Sequence, residues 1–127
     1  MEWLENMRGL QHIGLPTEDV EATVSFYKRL GFQEALRTDN GGIPVVFLKL
    51  NELVIETYGC ERAAKRDGAI DHMAIDVKDI EAAFAYVKSL SVKILEEITF
   101  LPFWENGVRF FIIEGPNKER IEFAQYL

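Results

Sequence analysis

Histidine occurs twice in this chain, and each time at the same point of a repeated phrase. His12 sits in "LQHIGLPTEDVEATVSFYKRLGF" and His72 in "IDHMAIDVKDIEAAFAYVKSL", sixty residues further along. Neutral imidazole is the commonest side-chain ligand of a transition metal. Two glutamates recur in step with them, Glu56 in "LVIETYG" and Glu122 in "ERIEFAQ", near the end of each half. Two imidazoles and two carboxylates make a mixed nitrogen and oxygen donor set. Such a set suits Zn, Ni or Co, and also Mn or Fe, and does not suit Ca or a thiolate metal. It also leaves coordination positions open for water or substrate, which is the condition for Lewis-acid catalysis.

A more ordinary account exists for each residue taken singly. A histidine in an apolar strand is usually packed as core, and a strand glutamate usually faces solvent. The repeat ties the four together. At an offset of sixty, Asp19, Glu21 and Ala22 meet Asp79, Glu81 and Ala82, and Lys28 and Leu30 meet Lys88 and Leu90. Val20, Val24, Tyr27 and Leu30 recur as Ile80, Phe84, Val87 and Leu90, the spacing of one helix face. Duplication explains this better than two unrelated helices, and a two-fold arrangement of the halves could bring all four residues to one point. Buried carboxylates need a partner or a cation, and a divalent ion provides one.

The elements that must position them follow from the same phrase. Asp19 and Asp79 stand at N-cap positions. Gly31 stops the first helix, "FQEALRT" reads as a strand, "DNGG" as a turn, and "IPVVFLKL" and "ELVIETYG" as two strands around "NE". In the second half "VKILEEIT" is a strand, "FLPFWENG" a loop, and "VRFFIIE" and "ERIEFAQ" a hairpin across "GPNK". Each half therefore reads βαβββ, an α+β organisation. Period-2 alternation puts Leu10, His12 and Gly14 on one face, and Ile70, His72 and Ala74 on another. Val54, Glu56 and Tyr58 share a face, as do Arg120, Glu122 and Ala124. The small residue two positions after each histidine leaves room beside the imidazole. In the long loop, Phe103 and Trp104 read either as packing or as an apolar wall of a substrate pocket. Arg120 reads either as an exposed edge position or as a contact for an anionic substrate group.

At 127 residues the chain fits one domain. The expected division is an N-terminal extension at 1–9 and a single domain at 10–127, made of module 1 (10–60) and module 2 (70–127). "CERAAKRDG" between the modules reads as a charged connector with room for a short helix. A net charge of −7 argues against nucleic acid and anionic membrane as partners. One cysteine, Cys60, permits no internal disulfide and points to a reducing compartment. "MEWLENMRG" carries no signal-peptide core, and no apolar run has the roughly 18 residues of a membrane span. The expectation is a cytoplasmic protein acting on a small molecule.

At these residues the sequence resembles the vicinal oxygen chelate superfamily, which includes glyoxalase I, methylmalonyl-CoA epimerase, fosfomycin resistance proteins and extradiol dioxygenases. The phrase "HIGLPTEDVEATVSFYKRLGF" is similar to the opening of many members, and "GPNKERIEF" to their closing hairpin. The resemblance implies paired βαβββ modules forming an open, barrel-like mixed sheet around a metal, and a homodimer. "LVIETYG" is similar to the glyoxalase I segment that supplies the second ligand, so His12, Glu56, His72 and Glu122 are the implied ligands. The implied reaction is isomerisation of a 2-oxoaldehyde–thiol adduct through an enediolate, formally a lyase. Glu122 first and Glu56 second would move the proton. Pro16 stands where bacterial glyoxalase I carries an arginine for glutathione, and Cys60 where an asparagine is usual, so glutathione does not carry over. An acyl-CoA epimerase and a metal-free binding protein of the bleomycin-resistance kind are the alternatives.

Overall fold

A computed structural model describes residues 1–114 and 120–127 of the chain. The "GPNK" turn lies outside the described residues. The chain divides into two compact units. Met1–Gln11 with His72–Leu127 form unit 1, and His12–Asp71 form unit 2.

In unit 2 the first strand, β1 (Met7–Thr17, its first five residues counted with unit 1), leads into helix α2 (Val20–Arg29). Strands β2 (Gln33–Asn40), β3 (Ile43–Leu50) and β4 (Leu53–Gly59) follow, in the order β2-β3-β4-β1. β4 pairs parallel with β1 and antiparallel with β3. The parallel pair is possible because α2, β2 and β3 form the crossover such a pairing requires. Unit 1 repeats the scheme. β5 (His72–Val77), α3 (Ile80–Ser89), β6 (Ile94–Leu101), β7 (Val108–Glu114) and β8 (Arg120–Tyr126) give the order β5-β8-β7-β6, with β5 and β8 parallel. Both halves are thus βαβββ, as the repeat predicts.

The helices begin alike. The Asp19 carboxylate accepts from the Ala22 N–H at 3.0 Å, and Asp79 from Ala82 at 3.1 Å. Val20 and Val24 pack with Phe32, Val46, Leu48 and Ile55 in unit 2, and Ile80 and Val87 with Val77, Phe111 and Phe123 in unit 1. Leu30 and Leu90 depart from the expected helix face. They are C-cap residues and stand exposed. Leu10 and Ile70 are exposed too. Ile70 precedes the start of β5.

Several boundaries shift from the sequence expectation. β2 runs through Asp39 and Asn40, so its turn shrinks to Gly41 and Gly42, both with positive φ, the two-residue geometry suited to a tight hairpin. β6 extends to Leu101 and takes in Phe100. The connector between β4 and β5 carries no helix. Among the described residues no helix is long and apolar enough to cross a membrane.

The N-terminal stretch read as an extension is built into unit 1. It holds the four-residue helix α1 (Trp3–Asn6), with Trp3 stacked on Tyr86 at 4.4 Å between ring centroids. Asn6 is 1 % exposed. Its Oδ1 accepts from the N–H groups of Lys78 (2.8 Å) and Asp79 (2.6 Å), and its Nδ2 donates to the Asp79 carbonyl (2.8 Å). One amide therefore satisfies three main-chain groups where β5 turns into α3.

Asn6→Ala should lower unfolding free energy by about 1–3 kcal/mol, because the Asp79 N–H loses its acceptor, while the Lys78 N–H keeps the Asn6 main-chain carbonyl (2.9 Å) and the Asp79 carbonyl keeps the Ala83 N–H (3.1 Å). Urea denaturation measures it, and a loss under about 0.5 kcal/mol would contradict this account. Gly107 offers a second check. Its φ is +94°, and an added Cβ would collide with the Phe100 ring. Phe100 is exposed and can swing aside, so Gly107→Ala should cost mainly the backbone penalty, about 1–2 kcal/mol.

Candidate metal centre

The parallel pairings place the candidate ligands. In unit 2, Gly14 on β1 is the register partner of Glu56 on β4. His12 lies two residues before Gly14, on the same face, and its Nε2 is 3.3 Å from Glu56 Oε1. In unit 1, Ala74 on β5 is the register partner of Glu122 on β8. His72 lies two residues before Ala74, and its Nε2 is 3.4 Å from Glu122 Oε1. One construction occurs twice.

All four side chains are largely withdrawn from water. His12, His72 and Glu122 are 4 %, 8 % and 7 % exposed, and the Glu56 side chain 15 %. Their neighbours across the sheet are apolar. Phe47 on β3 is the register partner of Glu56, and its ring stands edge-on to His12 with centroids 5.7 Å apart. Ile112 on β7 is the register partner of Glu122. A strand glutamate that merely met solvent would not be built this way.

The separations lie near those of two donors that share an ion. A charge-assisted hydrogen bond between imidazolium and carboxylate closes to about 2.7–2.9 Å. Two ligand atoms, each about 2.1 Å from one ion and about 90–110° apart, stand about 3.0–3.4 Å from each other. The observed 3.3 and 3.4 Å match the second distance. In each unit the donor set therefore fits shared coordination of a divalent ion.

Reasoning from sequence missed the residues beside these pairs. Gln11, buried, donates from Nε2 to Asp76 Oδ1 at 3.0 Å and to the Ala124 carbonyl at 3.1 Å. Asp71 accepts from the Tyr58 hydroxyl at 3.0 Å, and its N–H donates to the Gly14 carbonyl at 2.7 Å. The signal was present, since Gln11 and Asp71 are themselves sixty residues apart.

The three residues read as substrate contacts fall in unit 1. Phe103 is buried, which agrees with packing. Trp104, with φ +66°, stands edge-on to Tyr126 at 5.6 Å between centroids. Burial, with the charge of Asp76 second, pushes the Tyr126 phenol up to about 12. Arg120 is exposed at the first residue of β8, the register partner of His72. A separate open cleft of about 390 Å³ in unit 2 is lined by Leu15, Pro16, Phe26, Tyr27 and Lys65 among others, and by none of the four candidate ligands. Its Glu18 and Lys65 bond each other at 2.8 Å, a pairing that holds the Glu18 carboxyl below its ordinary range. It has the size of a ligand site and little of the chemistry.

Comparison with known proteins bears on this geometry. A family model described as the Glyoxalase/Bleomycin resistance protein/Dioxygenase superfamily matches residues 9–123. The chain is 32% identical over 126 residues to the uncharacterised protein YwbC of Bacillus subtilis (strain 168), across 91% of this chain and 96% of that one. Among solved structures, methylmalonyl-CoA epimerase from Mycobacterium tuberculosis superposes with a TM-score of 0.79 at 21% identity, covering 100% of this chain and 93% of that one. A variant methylmalonyl-CoA epimerase of Streptomyces coelicolor, in complex with 2-nitronate-propionyl-CoA, gives 0.78 at 21% identity over 94% of each chain. At such identities the likeness is one of fold, and it is the fold expected from the repeat.

Proposed function

Since the chain belongs to the Glyoxalase/Bleomycin resistance protein/Dioxygenase superfamily, we propose that it is a metal-dependent enzyme moving a proton between adjacent carbons beside a carbonyl. The observation that carries this reading is the repeated pair, a buried imidazole 3.3 or 3.4 Å from a carboxylate on a parallel strand. On this reading His12, Glu56, His72 and Glu122 together hold one divalent ion, with Zn, Ni or Co ahead of Mn or Fe. Held by these residues, a divalent ion would supply Lewis-acid polarisation of the substrate oxygens and a counter-charge for negative charge developing beside the carbonyl.

The chain's own residues supply the rest. Glu122, the more buried carboxylate, takes the proton from one carbon and returns it to the next, so no net proton is gained or lost. Glu56 is the second candidate for that step. His12 and His72 serve as nitrogen donors. Phe47 and Ile112 keep the flanks of the carboxylates apolar. Phe103 and Trp104 supply an apolar wall for the substrate, and Arg120 meets its anionic end.

Glutamate at position 56 favours a glyoxalase I-like lyase acting on a 2-oxoaldehyde–thiol adduct, because the epimerases commonly place glutamine there. Pro16 and Cys60 argue for a thiol other than glutathione. The second reading, an acyl-CoA epimerase, is favoured by the superposition on methylmalonyl-CoA epimerases and uses the same enolate chemistry. Either would be a cytoplasmic homodimer working on a small molecule.

Metal content by mass spectrometry should be close to one transition-metal ion per chain and should be lost in His72→Ala. A protein that takes up none of Zn, Ni, Co or Mn would make the four residues structural and bring forward the metal-free binding protein. Glu122→Gln should fold normally and lose turnover by about 10²–10⁴-fold, the worth of a positioned general base; full activity would sink the assignment. A panel of 2-oxoaldehyde hemithioacetals and racemic acyl-CoA esters separates the two substrates. Proton exchange read by NMR in deuterated water reports the shared step for both.

A further inference from the structure

The two boundaries between the compact units fall at the peptide bonds Gln11–His12 and Asp71–His72. The residue ahead of each histidine is therefore counted with one unit and the histidine with the other. Both of these residues are anchored by side chain. Gln11 spends both Nε2 hydrogens, one on the Ala124 carbonyl (3.1 Å) and one on Asp76 (3.0 Å). Asp71 accepts from Tyr58 at 3.0 Å, while its own N–H bonds Gly14 at 2.7 Å.

The anchors are equivalent in the repeat. Ala124 comes two residues after Glu122, and Tyr58 two residues after Glu56, each on the strand and face of its glutamate. Gln11 and Asp71 differ by the same sixty positions as the histidines. The strand that carries a glutamate thus also holds the residue that precedes a histidine. Hydrogen bonds of 2.7–3.1 Å on partly or fully buried groups fix a main chain firmly. The direction in which the next Cβ leaves that chain is then fixed too.

We propose that Gln11, and Asp71 with Tyr58, are positioning residues that set the angle at which His12 and His72 present their Nε2 atoms. This rests on reading the histidines as ligands. The Tyr58–Asp71 arm tests it cleanly, because removing one half-buried hydroxyl leaves the carboxylate charge in place.

The experiment titrates the full chain with Co(II), reading visible absorption and Kd, with circular dichroism and Tm as controls for folding. Wild type should bind Co(II) with bands that His72→Ala abolishes. Tyr58→Phe and Asp71→Ala should each weaken binding about tenfold or more and alter the band shape. Asp71→Asn should largely restore both, since its amide oxygen still accepts from Tyr58. A lowered Tm with unchanged affinity and spectrum in Tyr58→Phe would overturn the inference and leave the ligand reading standing. Loss in Asp71→Asn equal to that in Asp71→Ala, with Tyr58→Phe unaffected, would assign the effect to charge and also overturn it. Co(II) binding that is absent from wild type, or that persists in His72→Ala, would remove the ligand reading and this inference with it.

Discussion

A carboxylate withdrawn into a sheet is the constraint on which the rest of this structure turns. Desolvating it costs several kcal/mol unless an opposite charge or good donors compensate. Glu122 is 7 % exposed, and Ile112 lies across from it on β7. What faces it is an imidazole nitrogen at 3.4 Å. That partner reaches it only because β5 and β8 run parallel with Ala74 opposite Glu122. Antiparallel neighbours can be joined by a short turn, whereas this pairing needs α3, β6 and β7 in between. The βαβββ order is one that puts histidine and glutamate on adjacent parallel strands.

The repeat shows which details that need dictates and which it leaves free. The cap distances of α2 and α3 differ by 0.1 Å, as do the two imidazole–carboxylate separations. Both helices end on a leucine C-cap with near-identical dihedrals. The residues that differ lie around the pairs. Gly14 answers to Ala74, Phe47 to Ile112, and Pro16 to Asp76, which accepts from Gln11. Gly31 has φ +103°, and Ser91 takes up the same left-handed region at φ 59°. Framework is conserved between the halves, and the surroundings are not.

Much of this was legible in the sequence because duplication turns weak signals into matched ones. His12 alone would read as core and Glu56 alone as surface; the sixty-residue offset of the histidines, with Glu56 and Glu122 at matching places near the end of each half, made them a set. Element order and both N-caps followed from ordinary local rules. The failures have local causes as well. Leu30 and Leu90 keep helical spacing, but a C-cap residue has already left the core-facing turn. Ile70 obeys alternation in the sequence, but it precedes the start of β5 and is exposed. Asn6 looked like part of a polar extension, since nothing local says that one amide will serve Lys78 and Asp79, more than seventy residues away. Long-range hydrogen bonds to main chain leave no periodic trace.

On the proposed ligand set, charge offers a further argument for glutamate at both positions. Two carboxylates and two neutral imidazoles carry −2, in a chain whose net charge is already −7. A divalent cation would bring that set to zero, and holding it would offset the desolvation of each carboxylate. A glutamine at position 56 would leave the loaded set at +1, which would hold an anionic substrate more tightly from the outset. With Glu56 the loaded set would be neutral, and substrate charge would be met only as it develops when a proton leaves carbon. Interactions stronger in the transition state than in the ground state are the ones that raise turnover. On the proposed reading, the second glutamate suits a substrate that arrives neutral at its reacting end, as a hemithioacetal does.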